Sequence, residues 1–308
     1  MEQKNLETTI SQYLTFCDEQ KRLDAKTIKA YKIDLTQFCR QISTSDPSTI
    51  TSDMLESYIA SLHQTFQPKT VKRKIASVKA FFHYLEYRDI ITINPFHKIQ
   101  LRFREPVILP KTIPLTTMER FLSEIYRTYN TTDQPRKKRC ILRDIAVSEL
   151  LFATGIRISE LCALRPQDVN LADQSILIYG KGDKERRLQI GTSDVIKILL
   201  QYANEYQKEI QQCNHFFVNQ GNRPLSDQSV RRMINKYTSR ANIDQHITPH
   251  MFRHTFATSL LEADVDIRYI QEMLGHSSIN VTQIYTHVAL AKQRDILTTK
   301  HPRKNFQL

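Results

Sequence analysis

Apolar residues recur every three or four positions through the first third of the chain. The first sets are Leu6, Ile10, Tyr13 and Cys17, then Ile28, Tyr31, Leu35, Phe38 and Ile42. Two more follow, Leu55, Tyr58, Ile59 and Leu62, then Val71, Ile75, Val78, Phe82 and Leu85. That spacing lines one face of an α-helix, so the pattern predicts four amphipathic helices. All six glycines lie at Gly155 or later, which removes from the first half the residue that most readily supplies tight turns. Four helices burying their apolar stripes against one another make a compact helical domain, assigned here to residues 1–104.

Pro106, Pro110 and Pro114 then fall within REPVILPKTIPLT. Proline disfavours helix in itself and in the residue before it, so residues 105–115 read as an extended linker. Thr116 and Glu119 have capping-box spacing and predict a helix start there, opening a second domain over 116–297 with a tail at 298–308. Within it, SILIYGKGDKERRLQI alternates around a glycine-containing turn and reads as a β-hairpin. The stretch from Ser226 to Tyr237 and the run from His250 to Ala291 have helical spacing. The fold class is therefore mainly α: a helical N-terminal domain plus a helix-rich α+β domain with a small antiparallel sheet.

Composition narrows the function. Hydrophobic residues at 40% and charged residues at 25% describe an ordinary globular protein. Lys+Arg 44 against Asp+Glu 32 gives a net charge of +12, which suits a polyanionic partner. Lys26, Lys29 and Lys32 accompany the second helix, and Lys69, Lys72, Arg73 and Lys79 lie off the apolar stripe of the fourth. Two readings stand for them, a phosphate grip and a solvated helix face. Cys17, Cys39, Cys140, Cys162 and Cys213 are widely spaced and form no CxxC pair, so zinc is not expected. The N-terminus lacks a basic region followed by an apolar run, and no stretch approaches the about 18 apolar residues of a membrane span. A cytoplasmic protein with no membrane partner is the expectation.

Candidate chemistry is scattered. Arg157 follows Gly155 at the start of a predicted helix, with Glu160 three residues on; Lys181 sits between two glycines of the hairpin turn. His250 and Arg253 share one helical face, His276 follows Gly275, and Tyr285 lies between apolar neighbours. Each alone has an ordinary structural reading: an ion pair, a polar turn, a helix cap, a core aromatic. Together they hold what metal-free phosphodiester transfer needs. Cations neutralise the non-bridging oxygens, an acid protonates the leaving oxygen, and a hydroxyl attacks.

Three stretches carry a family resemblance: LRDIAVSELLFATGIRISELCALRPQDV, ILIYGKGDKERRLQI and ITPHMFRHTFATSLLEADVDIRYIQEMLGHSSINVTQIYTHV. In this order they resemble the tyrosine recombinase, or phage integrase, family, most closely its Xer-like branch, over nearly the whole chain. The resemblance implies a SAM-like core-binding domain that closes on DNA through Lys26, Lys29, Lys69, Lys72, Arg73 and Lys79. It implies that Tyr285 attacks the scissile phosphate, leaving a 3′-phosphotyrosyl bond and a free 5′-hydroxyl. Arg157 and Arg253 would clamp the phosphate with His276 assisting, Lys181 would act as acid, His250 as base, and Glu160 would brace Arg157. The implied activity is site-specific DNA recombination without metal, ATP or cofactor, serving either a mobile element or chromosome dimer resolution. The implied partners are double-stranded DNA and three further copies, as a homo-tetramer on two sites with the C-terminal segment packed on a neighbour.

Two features depart from the family pattern. Residues 127–140, RTYNTTDQPRKKRC, read as a longer and more basic loop than the family's and as a possible DNA contact, and no arm-binding domain precedes the helical half. A catalytically silent DNA-binding accessory protein and a type IB topoisomerase-like enzyme are the alternatives. Intact Arg157, Lys181, His250, Arg253, His276 and Tyr285 argue against the first.

Overall fold

A computed structural model describes residues 5–100, 111–180 and 185–275, and divides the chain into two compact units, 1–108 and 109–308. In the first unit the four expected helices are α1 (Leu6–Glu19), α2 (Ala25–Gln41), α3 (Ser52–Thr65) and α4 (Pro68–Tyr87). Asn5, Asp24 and Thr51 cap α1, α2 and α3 by accepting hydrogen bonds from backbone N–H groups of the first turn, and Pro68 opens α4 where no N–H is needed. Leu6, Tyr13, Leu35, Phe38, Leu55, Val71, Phe81, Phe82 and Leu85 form the core. Aromatic edges meet faces there, with Phe38 and Phe82 at 6.0 Å and Phe81 and Phe82 at 5.9 Å between centroids.

One charged cluster lies inside this apolar bundle. Asp34 on α2 is fully buried and accepts from Lys74 Nζ at 3.3 Å and Ser77 Oγ at 2.9 Å, and it also pairs with the Arg73 guanidinium. Lys74 is buried as well, bonded to Gln37 and stacked over Phe66 at 4.7 Å. The cluster fastens α2 to α4.

The second unit is built on α5 (Leu115–Asn130), α6 (Pro135–Thr154), α7 (Ile158–Ala163), α8 (Ser193–Glu205), α9 (Gln207–Cys213), α10 (Asp227–Arg240), α11 (Pro249–Glu262) and α12 (Ile267–Leu274). Its strands are β1 (Val169–Asn170), β2 (Ser175–Tyr179) and β3 (Glu185–Gln189), antiparallel in the order β1-β2-β3. The hairpin expected from SILIYGKGDKERRLQI is β2–β3, with Ser175 opposite Gln189 and Tyr179 opposite Glu185. The two-residue β1 was too short to show in the sequence pattern. Phe121, Ile145, Leu150, Leu161, Ile176, Leu199, Phe217, Ile234 and Phe252 bring α5, α6, α7, α8, α10, α11 and the sheet onto one core, and Ile270 and Leu274 of α12 pack with Ala257 of α11 in a smaller cluster.

Two expectations are corrected. The helix after the prolines does not start at a Thr116–Glu119 capping box: Pro114 is the cap, its carbonyl accepting from Met118 N–H at 2.9 Å, and no side chain caps the end. Nor are residues 127–140 a long loop. They comprise the last turn of α5, a four-residue connection at 131–134 and the opening of α6. Two of their basic groups turn onto the protein, Arg139 pairing with Glu205 and Glu209 at 3.1 and 2.7 Å and Lys138 lying over the Tyr129 ring at 5.0 Å, while Arg136 and Lys137 are exposed.

Candidate active site

The site begins at a forced turn. Gly155 caps α6 with φ at +60°, and a Cβ there would come within 2.6 Å of Phe256 Cδ1 on α11, so both conformation and packing call for glycine. The turn delivers Arg157 to the position preceding α7. Guanidinium has no acceptor with which to cap a helix, so only the reverse half of a capping box forms. Glu160 Oε2 accepts the Arg157 backbone N–H at 2.9 Å while Oε1 accepts Arg157 Nη1 at 2.7 Å. The expected bracing of Arg157 by Glu160 is thus a two-point contact.

Arg253 projects from the second turn of α11 and is buried. Its Nη1 donates to the Gly155 carbonyl at 3.0 Å and its Nη2 to the Leu274 carbonyl at 2.6 Å. Arg157 Nη2 reaches the next carbonyl, Gly275, at 3.5 Å. Two guanidinium groups from distant parts of the chain therefore converge where α12 ends. Gly275, with φ at +63°, closes that helix and leads directly to His276. His250 lies exposed in the first turn of α11, one turn before Arg253. His254, the residue after Arg253, keeps its Nδ1 buried without a hydrogen-bond partner among the described residues. Burial, with His250 and Arg253 nearby, holds its imidazole below the usual value.

The sequence pattern missed Arg186. It sits on β3 at a position sharing the inward face with Leu188, and its guanidinium grips both oxygens of Glu160, Nη1 to Oε1 at 3.1 Å and Nη2 to Oε2 at 2.7 Å. Its Nε donates to the Met273 carbonyl at 2.9 Å. Burial alone would push the Glu160 carboxyl up; hydrogen bonds from Arg186 and Arg157 outweigh it and leave the group below the ordinary carboxylate range. The signal was present, because strand alternation puts residues 186 and 188 on one face and a cation facing inward demands a partner.

Arg157, Glu160, His250 and Arg253 thus share one unit, whereas Lys181, His276 and Tyr285 lie outside the described residues, as do the tail 298–308 and most of the linker. In the other unit Lys26, Lys29, Lys69, Lys72 and Lys79 are exposed on α2 and α4. Arg73, also on α4, rests its guanidinium on Asp34.

Comparison with known proteins bears on the family and the fold. Residues 120–292 match the model of the phage integrase family, and residues 10–89 that of the phage integrase N-terminal SAM-like domain. A tyrosine recombinase of Agathobacter rectalis is 68% identical over 302 residues, spanning 98% of this chain and 99% of its own. The tyrosine recombinase XerD of Listeria innocua is 35% identical, spanning 96% of this chain and 98% of its own. A crystal structure of the XerH site-specific recombinase bound to palindromic difH substrate, a post-cleavage complex, has the same fold. Its TM-score is 0.71 at 22% identity, over 94% of this chain and 84% of that one. The chain belongs to the phage integrase family, the tyrosine recombinases, and is a site-specific DNA recombinase.

Proposed function

We propose that this recombinase breaks and rejoins double-stranded DNA through a covalent bond to Tyr285. The observation that carries the reading is the meeting of Arg157 and Arg253 at the Leu274–Gly275 carbonyls. Paired guanidinium groups neutralise the non-bridging oxygens of a phosphodiester as charge builds on them, and a partly buried setting strengthens each contact. One of them, Arg157, stays about a third exposed and open to a strand.

The Tyr285 hydroxyl oxygen forms a bond to phosphorus while the bond to the 5′-oxygen breaks. His250 takes the phenolic proton and Lys181 gives a proton to the departing oxygen, with His276 assisting the arginines. The phosphotyrosyl ester conserves the bond, so a 5′-hydroxyl of a second strand reverses the step and completes exchange. The balance needs neither ATP nor a metal. Exposed Lys26, Lys29, Lys69, Lys72 and Lys79 supply phosphate contacts from the helical unit, four copies act on two sites, and the C-terminal segment packs on a neighbour. A cytoplasmic protein serving a mobile element or chromosome dimer resolution fits these properties.

The test begins by capturing covalently bound duplexes from a random library and sequencing them, which yields a working site. Two labelled duplexes carrying that site are then mixed with the protein in EDTA without ATP. Exchanged strands are expected. Relaxation of a supercoiled plasmid without exchange would favour a topoisomerase, and binding without a covalent adduct would overturn the enzymatic reading.

A further inference from the structure

Arg186 belongs to no role assigned above, yet its guanidinium commits three hydrogen bonds to the site. It lies on the inward face of β3, its side chain only 10% exposed, and reaches two different structural elements at once. Two donors meet the Glu160 carboxylate, which in turn holds both the backbone N–H and the guanidinium of Arg157. The third donor meets the Met273 carbonyl in the last turn of α12. Gly275 gives way to it: a Cβ at that position would fall 2.9 Å from Arg186 Nη1.

We infer that Arg186 is a positioning residue for the recombination reaction, fixing Arg157 through Glu160 while locking the end of α12 to the hairpin. Without it Glu160 keeps Arg157 as its partner but loses the opposing fork that defines where the carboxylate sits. Arg157 then samples positions away from the phosphate. Misplacing a group by a fraction of an ångström costs far more in rate than in binding. Lysine does not substitute, because a single ammonium cannot span a carboxylate and a carbonyl with three directed donors. The inference rests on Arg157 acting on the phosphate as proposed above.

The experiment measures single-turnover adduct formation and DNA affinity on the library-derived duplex for wild type, Arg186→Lys, Arg186→Gln, Glu160→Gln and the Arg186→Gln/Glu160→Gln double variant. Arg186→Lys is expected to slow the rate constant by about tenfold and Arg186→Gln by more, with affinity within about twofold of wild type. The double variant should stay within about threefold of the slower single variant, since both act along one chain of contacts. A merely structural role lowers the amplitude, the fraction of active protein, and leaves the rate constant of the folded fraction unchanged. That result, or losses that multiply in the double variant, would overturn the inference. Wild type forming no adduct would overturn the proposed function itself, a different and separately visible failure.

Discussion

Replacing Asp34 with alanine removes the acceptor at the centre of the charged cluster in the helical unit, and the cost can be worked group by group. Arg73 is 46% exposed on its side chain and turns into water, as at a surface ion pair worth about 0–1 kcal/mol. Ser77 keeps the Arg73 carbonyl at 3.1 Å. Lys74 decides the outcome, because its side chain is 3% exposed and among the described residues its ammonium retains the Gln37 oxygen and the Phe66 ring. Stranding one member of a buried ion pair costs about 3–5 kcal/mol, and the two retained contacts favour the lower end. Removing both members, as in Asp34→Ala/Lys74→Met, should cost less than Asp34→Ala alone, because no buried charge is left uncompensated. The chain has no tryptophan, and its two units need separate readouts, so the assay is amide hydrogen exchange of peptides from α2 and α4 by mass spectrometry. An Asp34→Ala penalty under about 1 kcal/mol, or a double variant at least as unstable as the single one, would refute the reasoning.

Two further outcomes are expected. His254 is held below its ordinary value in the folded protein, so the unfolded chain takes up the proton first. Stability is full above the unfolded value of about 6.5 and declines as pH falls below it towards the folded value. Urea midpoints of the second unit at pH 7.5 and 5.5 should show that decline, and His254→Gln should flatten it. On DNA, changing Lys69 or Lys79 to glutamine should each lower the slope of log affinity against log salt by about 1, whereas Arg73→Gln should lower it less because Asp34 already holds that guanidinium. Equal slopes for Arg73 and the lysines would contradict the assignment.

What the sequence revealed and what it hid divide along range of interaction. The stripes Leu6–Cys17 and Val71–Leu85 record helices directly, because a helix's buried face repeats within a few residues. The β2–β3 hairpin showed through its alternation. Arg73 and Lys74 adjoin in sequence, yet one sits at the surface and the other is buried against Asp34, forty residues away; no local pattern separates them. The 127–140 segment looked like a basic loop because charge was weighed without partners, and Glu205 and Glu209 of later helices complete it. In the site, order along the chain and family resemblance brought out Arg157, Glu160, His250 and Arg253. Arg186 escaped because its meaning comes from Glu160 and Met273 across the fold.

Covalent capture tests the central claim most directly. A suicide duplex carrying the library-derived site, nicked so that the leaving fragment diffuses away, is incubated with wild-type protein and with Tyr285→Phe, and the products are separated under denaturing conditions. The account predicts a protein–DNA adduct for wild type, attached at the peptide containing Tyr285, and none for Tyr285→Phe. An adduct that survives the substitution would contradict it.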